Sequence, residues 1–338
     1  MIKQPVIAIA LFSGGLDSIL SCRVVQEQGV RVLAVRFVTP FFGLDLLTRS
    51  GSYTNEVRQK YGIDVEVKDV SEEYLTILAN PCHGYGKNFN PCVDCKVFLA
   101  GKAREFMAAR GASFIITGEV LGQRPMSQRR DTLRIVERDS GCDGILLRPL
   151  SARHLSPTRP EQEGLIDRER LLGFTGRGRT NQITLARRFG IIDYPAPAGG
   201  CVLTDPILSE RIRRFFSKDQ IPPLSDIHLL LFGRHFLLPN GGWLIMGRDH
   251  KENEKIEKLV IAGDLIIRNA DDWPGPTAIL RRSRHPDDIR LAAGILGRYG
   301  KKRLLAAGNI DVVVSNGLCR DRIIVPLLNN EQFRPWAI

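Results

Sequence analysis

The chain has 338 residues, 43% of them hydrophobic and 25% charged, with a formal net charge of +11. That composition suits a globular protein of two or three domains and excludes a disordered or fibrous chain. No apolar run approaches membrane-spanning length, and Met1-Ile2-Lys3-Gln4 leads straight into a strand-like run, so a cytoplasmic protein without a cleaved leader or a membrane partner is expected.

Residues 6–12 are apolar and β-branched, as in a buried parallel strand. Ser13-Gly14-Gly15-Leu16-Asp17-Ser18 follows, and from Ile19 the pattern is helical, with Asp17 or Ser18 at its start. A strand turning through glycines into a helix N-terminus is an anion site, because successive N–H groups and the helix dipole face one spot. The loop lacks the Lys of GxxxxGK[ST] and the spacing of GxGxxG. Further strands are predicted at 30–38, 63–67, 113–117 and 144–150, with a helix near 55–61. Short apolar strands alternating with helices specify an α/β fold with a doubly wound parallel sheet. Ligands of such sheets lie at the carboxyl ends of the strands. Ser13, Thr39 and Gly118 are therefore expected around one cleft, with Gly118 in close backbone approach and Gln123 or Arg124 contacting phosphate or RNA.

Between 151 and 216 the strands stop, and residues 168–172 and 182–189 have helical spacing. From Arg124 to Arg188 there are 14 Arg, no Lys and 8 acidic residues, a surplus of +6. Arginine offers bidentate contacts to phosphate, so a nucleic-acid partner is expected, with Arg124, Arg129, Arg130, Arg177 and Arg179 as candidate contacts. Residues 194–200, rich in Pro and Gly, fix the path into Cys201. Pro222-Pro223 marks a linker, 228–237 opens a set of short strands, Asn240-Gly241-Gly242 signals a hairpin, and 247–257 reads as a strand end entering a helix. The expected division is 1–150, a helical Arg-rich extension over 151–222, and a small α+β domain over 223–338.

Seven cysteines in a long chain argue against a disulfide framework and for metal or catalytic use. Cys92-Val93-Asp94-Cys95 is a CxxC ahead of a helix, compatible with zinc, a redox dithiol or an iron–sulfur cluster. Lys96 and the helix start both favour thiolate. Cys82-His83 keeps zinc open. With Cys201 as a third thiol and no clear fourth, the set suits a [4Fe–4S] cluster with one iron free of protein ligands. Cys22 and Cys142 read as inert buried thiols, and Cys319 and His285 as structural or exposed.

SGGxDS after an N-terminal strand resembles the PP-loop family of ATP-dependent enzymes, whose loop holds the pyrophosphate of ATP while AMP passes to an oxygen. Together with Cys92, Cys95 and the Gly-preceded Cys201, residues 5–210 are similar to the three-cysteine, cluster-dependent enzymes of that family that thiolate tRNA. Residues 225–335 resemble the small RNA-binding domain at the end of NFACT-type proteins. The resemblance implies ATP-dependent replacement of a uridine or cytidine carbonyl oxygen by sulfur. Ser13, Gly14, Gly15, Ser18 and Gly118 would hold ATP, and Asp17 would hold Mg2+. Cys92, Cys95 and Cys201 would hold the cluster. tRNA and a sulfide or persulfide donor are the implied partners. A cluster-free persulfide relay and a non-thiolating PP-loop tRNA-modifying enzyme are the alternatives.

Overall fold

A computed structural model describes residues 5–197, 199–216, 220–300 and 308–338. The readings placed on Met1–Gln4 and Ala198 lie outside the described residues. The chain divides into two compact units, Met1–Asp205 and Pro206–Ile338.

In the first unit, β1 (Ile7–Leu11), α1 (Leu16–Gln26), β2 (Arg31–Val38), α2 (Ser50–Tyr61), β3 (Asp64–Asp69), α3 (Ser71–Ala79), α4 (Cys92–Ala109), β4 (Phe114–Thr117), α5 (Arg130–Asp139) and β5 (Leu146–Leu147) alternate. They build a parallel sheet of order β3-β2-β1-β4-β5. Side chains alternate across it as strand geometry requires. Ala8, Ala10, Ala34 and Ile116 pack on the α1 side with Leu16, Ile19 and Leu20. Ile9, Val35 and Ile115 join Ala100 and Ala103 of α4 on the other. Both faces are therefore covered, which accounts for the near-continuous apolar strands.

Strand order reverses at β1, whose neighbours are β2 and β4, and the crevice outside such a switch point is where open α/β sheets bind ligands. After β5 the chain forms α6 (Arg159–Gln162) and α7 (Thr180–Arg188). The expected helix at 168–172 is only a 3-10 turn, Arg168–Arg170. There the Asp167 carboxylate accepts the Glu169 N–H at 2.9 Å, closing a turn instead of starting an α-helix.

The second unit opens with α8 (Pro206–Phe215) and α9 (Leu224–Leu230), followed by β6 (Arg234–Leu237), β7 (Trp243–Met246), α10 (His250–Glu257), β8 (Leu265–Asn269), β9 (Ala278–Arg281), α11 (Pro286–Arg298), β10 (Asn309–Ser315) and β11 (Arg320–Pro326). These strands form an antiparallel sheet of order β11-β10-β8-β9-β7-β6. The apolar run at 228–231, expected as strand, closes α9 instead. Buried Ile227, Leu229 and Leu230 satisfy a helix face as readily as a strand. The β6–β7 hairpin turns at Gly241, whose φ of 84° requires glycine.

Candidate active site

The six-residue loop closes on itself after β1. Gly14 has φ 76°, which sends the chain round towards α1. The Ser18 hydroxyl donates to the Gly15 carbonyl at 2.7 Å, and the Ser13 hydroxyl donates to Ser18 Oγ at 3.2 Å. The α1 N-terminus therefore ends beside two hydroxyls and a glycine turn, a combination suited to an anion.

The segment after β4 is built against this loop. A Cβ on Gly118 would lie 2.5 Å from the Ser18 nitrogen and 2.6 Å from the Asp17 carbonyl carbon, so only glycine lets β4 lie this close. Gln123 Nε2 donates to Asp17 Oδ2 at 2.9 Å. The remaining oxygens of that pair, Asp17 Oδ1 and Gln123 Oε1, are buried without a hydrogen-bond partner. Farther along, the Gly176 N–H donates to the Leu121 carbonyl at 2.8 Å, which brings Arg177 and Arg179 to the same segment.

Buried groups lacking a partner are rare in folded proteins, and each raises the question of what it binds. In the first unit those described are on Asp17, Arg36, Gln123, Gln128, Arg179 and Gln182. The first three belong to or adjoin the 13–18 loop, and Gln128 and Arg179 lie on the segments that frame it.

On the other flank, Glu119 links this segment to the CxxC helix. Its carboxylate accepts from Lys96 Nζ and, at 2.9 Å, from Arg148 Nε. Burial alone would raise the Glu119 pKa, but the two cations hold it down at about 2. Lys96 also donates to the Ser127 carbonyl at 2.8 Å. Lys96 is thus engaged by Glu119, and its thiolate-favouring pull on Cys95 is outweighed by burial. Burial pushes the Cys95 thiol up to about 12, reinforced by neighbouring Cys92 and Cys201 and only partly opposed by the Tyr74 hydroxyl and Lys96. Cys201 is likewise raised, first by burial, with Arg124 acting in the opposite sense. Both shifts favour the neutral thiol, and a cation bound among these thiols would act in the opposite sense.

Two straps bring Cys201 towards the pair. The Asn88 amide donates to the Thr204 carbonyl at 2.6 Å, and the Phe89 N–H to the Leu203 carbonyl at 3.2 Å. The Tyr74 hydroxyl is hydrogen-bonded to Cys95, and the charges of Cys92 and Cys201 act on it from farther off. Among the described residues, however, no three His, Cys, Asp or Glu side chains stand close enough together to hold a metal ion. Asp94, between the two cysteines, is buried and structural. It accepts the N–H groups of Cys82 and His83, each at 3.0 Å, and faces His83 Nδ1 at 3.0 Å. The other His83 nitrogen lies 3.0 Å from Asp139, so this histidine is committed to carboxylates.

The remaining candidates separate. Arg124, Arg129, Arg130 and Arg177 are exposed. Arg129 pairs with Asp131 at 3.0 Å and Arg130 donates to the His154 carbonyl at 2.8 Å. Cys22 and Cys142 are buried, and Cys82 and Cys319 are exposed. The His285 side chain caps α11. Reading the sequence alone passed over Arg36, Tyr53, Tyr74 and the Glu119–Arg148 pair. A charged residue inside the apolar β2 run was the available signal for Arg36; the others carry none, since their roles come from distant partners.

Residues 6–154 match the family model described as thiamine biosynthesis protein (ThiI). Residues 233–337 match the model described as NFACT protein RNA binding domain. A curated relative, the probable tRNA sulfurtransferase of Thermococcus kodakarensis (strain ATCC BAA-918 / JCM 12380 / KOD1), is 29% identical over 143 residues, 42% of this chain and 36% of that protein. The chain thus spans about a third of that relative's length. Among solved structures, a 4-thiouridine synthetase–RNA complex with bound ATP aligns over 66% of this chain and 52% of its own, at 19% identity and TM-score 0.39. The U34-tRNA thiolase NcsA from Methanococcus maripaludis with its [4Fe-4S] cluster aligns over 63% and 67%, at 13% identity and TM-score 0.37. No described helix is long and apolar enough to cross a membrane.

Proposed function

We propose that the protein is an ATP-dependent tRNA sulfurtransferase with its nucleotide loop and three cysteines acting in one site. The observation that carries this reading is the 118–124 segment. It meets the loop at Gly118 and Gln123, the CxxC helix at Glu119, and comes near Cys201 at Arg124. The matched family models add a ThiI-type region and an RNA-binding region on one chain.

ATP would lie with its phosphates on the N–H groups of Gly14 and Gly15 and the hydroxyls of Ser13 and Ser18. Asp17 Oδ1, buried and unpartnered, fits Mg2+, a hard cation that takes carboxylate oxygen. A uridine or cytidine carbonyl oxygen attacks the α-phosphorus, the new O–P bond forms, and the bond to the β-phosphate oxygen breaks as pyrophosphate leaves. Sulfide then adds to the activated carbon. The carbon–oxygen bond to AMP breaks, and loss of the sulfur-bound proton leaves a thiocarbonyl. Holding the base out of its stack falls to Arg124, Arg129, Arg130, Arg177 and Arg179, with residues 223–338 as a second RNA contact.

Cys92, Cys95 and Cys201 are the residues that would hold a [4Fe–4S] cluster, with thiolate donors of the right softness. When bound, such a group supplies an iron free of protein ligands at which sulfide is delivered. The Cys201 loop must close on the pair for all three to ligate.

The test is anaerobic incubation with ATP, Mg2+, sulfide and tRNA, followed by nucleoside mass spectrometry. Wild-type protein should replace one pyrimidine oxygen by sulfur and release AMP. Asp17→Asn should abolish both products. Alanine at Cys92, Cys95 or Cys201 should keep tRNA-dependent pyrophosphate exchange into ATP while losing thiolation. Full thiolation by the alanine variants would overturn the reading.

A further inference from the structure

Arg36 lies on β2, the strand beside the nucleotide loop, within the otherwise apolar stretch 32–38. One guanidinium nitrogen, Nη1, donates to the Ser13 carbonyl, the first residue of the loop. Nε is buried without a hydrogen-bond partner. Arg36 makes no ion pair among the described residues; Asp45, whose charge acts on it from farther off, is taken up by Arg49 at 2.9 Å. Burial consequently pushes the guanidinium pKa down. A half-buried cation without an ion-pair partner is unfavourable. An arginine kept in that condition beside a glycine turn is matched to an anion that arrives later. The phenol of Tyr53 lies on the same side, its hydroxyl 3.1 Å from where a Gly14 Cβ would be. Burial raises its pKa, so it remains a donor.

We propose that Arg36 is a ligand of the ATP phosphate chain, supplying the positive charge that the loop itself lacks, with Tyr53 as a neighbouring donor. This rests on the nucleotide reading above. The SGGxDS loop holds no lysine, and its N–H groups offer only partial charge. Arg36 offers a whole one, directed to the loop's first residue, and would meet the negative charge that collects on pyrophosphate as the α–β bond breaks.

The experiment is calorimetric titration of wild-type, Arg36→Met and Arg36→Lys full-length protein with ATP, AMP and inorganic pyrophosphate. Thermal unfolding and tRNA binding are measured in parallel. Arg36→Met should weaken ATP and pyrophosphate about tenfold or more, the scale of a lost charged hydrogen bond. It should move AMP less than about threefold and leave tRNA binding and the unfolding temperature unchanged or slightly raised. Arg36→Lys should recover part of the loss, because charge survives without the fork. Equal ATP affinity in wild-type and Arg36→Met protein would overturn the assignment of Arg36 alone. Failure of wild-type protein to bind ATP or pyrophosphate would overturn it together with the nucleotide reading. Should the Met variant not fold, the Lys variant decides: a wild-type pyrophosphate affinity and an unchanged AMP:ATP ratio would contradict a phosphate fork.

Discussion

Arg281 in the C-terminal unit is buried and Arg36 in the N-terminal unit is half-buried, but only the first is saturated. Arg281 donates to Asp226 at 2.6 Å and to both oxygens of Asp264 at 2.8 and 2.7 Å, with the Leu259 carbonyl as a further acceptor. Burial alone would lower its pKa, yet the two carboxylates raise it. Arg36 has two main-chain carbonyls, those of Ser13 and, at 3.5 Å, Phe12, no carboxylate, and a lowered pKa. The difference separates charge that holds a fold together from charge held in reserve. The same contrast runs through the cleft, where Asp17 and Gln123 spend one hydrogen bond on each other and keep an oxygen apiece unused.

The contrast breaks most visibly at Arg281. Asp264→Ala leaves a buried guanidinium with half its partners and should destabilise the C-terminal unit by about 3–5 kcal/mol. All three tryptophans, Trp243, Trp273 and Trp336, belong to this unit. Denaturant unfolding followed by their fluorescence therefore reads it directly.

Gly118→Ala is the next largest. Its Cβ would collide with the Asp17–Ser18 backbone, and overpacking of this kind costs about 1–3 kcal/mol. ATP affinity should fall while the C-terminal fluorescence transition stays put. An unchanged affinity would mean that β4 and the loop need not touch.

Acid sharpens the comparison further. His235 is held neutral, down at about 3, chiefly by burial. Its Nδ1 accepts from Trp243 Nε1 at 3.1 Å and its Nε2 meets the Phe232 carbonyl at 2.6 Å. A base whose pKa is depressed on folding contributes stability above its ordinary 6.5 and loses it as pH falls towards about 3. Glu119, an acid depressed from 4.5 to about 2, contributes above 4.5 and loses it only below that. Acidification should therefore weaken the C-terminal unit at higher pH than the Glu119 network. His235→Gln should flatten fluorescence-detected stability between pH 6.5 and 3, whereas Glu119→Gln should leave that fluorescence profile unchanged and flatten, below pH 4.5, the stability of the N-terminal unit read by amide hydrogen exchange.

Smallest is the surface effect. Arg177→Ala should reduce tRNA affinity a few-fold and lower the salt slope by about one, without altering ATP binding.

Much of the α/β layout was legible because its signals are local. The β-branched runs, Gly14 and the SGGxDS spacing each act through neighbours in sequence. The cysteines were visible as chemistry, but their protonation was not. Lys96 next to Cys95 suggested a thiolate, and only the fold reveals that Glu119, 23 residues on, occupies the lysine. Asp94 sits inside the CxxC yet serves the backbone of residues 82 and 83, which no spacing rule conveys. At 228–231, apolar content without period left helix and strand equivalent, and packing decided. Arg36 stood in plain view, but its meaning depends on the carboxylate it lacks.

The account depends on activation and sulfur transfer sharing one cleft, and a single-turnover reaction under anaerobic conditions addresses this most directly. With ATP, Mg2+, sulfide and tRNA, AMP release and thionucleoside formation should appear together in wild-type protein. In Cys201→Ala the thionucleoside should vanish while pyrophosphate exchange continues. Thionucleoside formation at the wild-type rate in that variant, or its appearance without AMP release, would contradict the account.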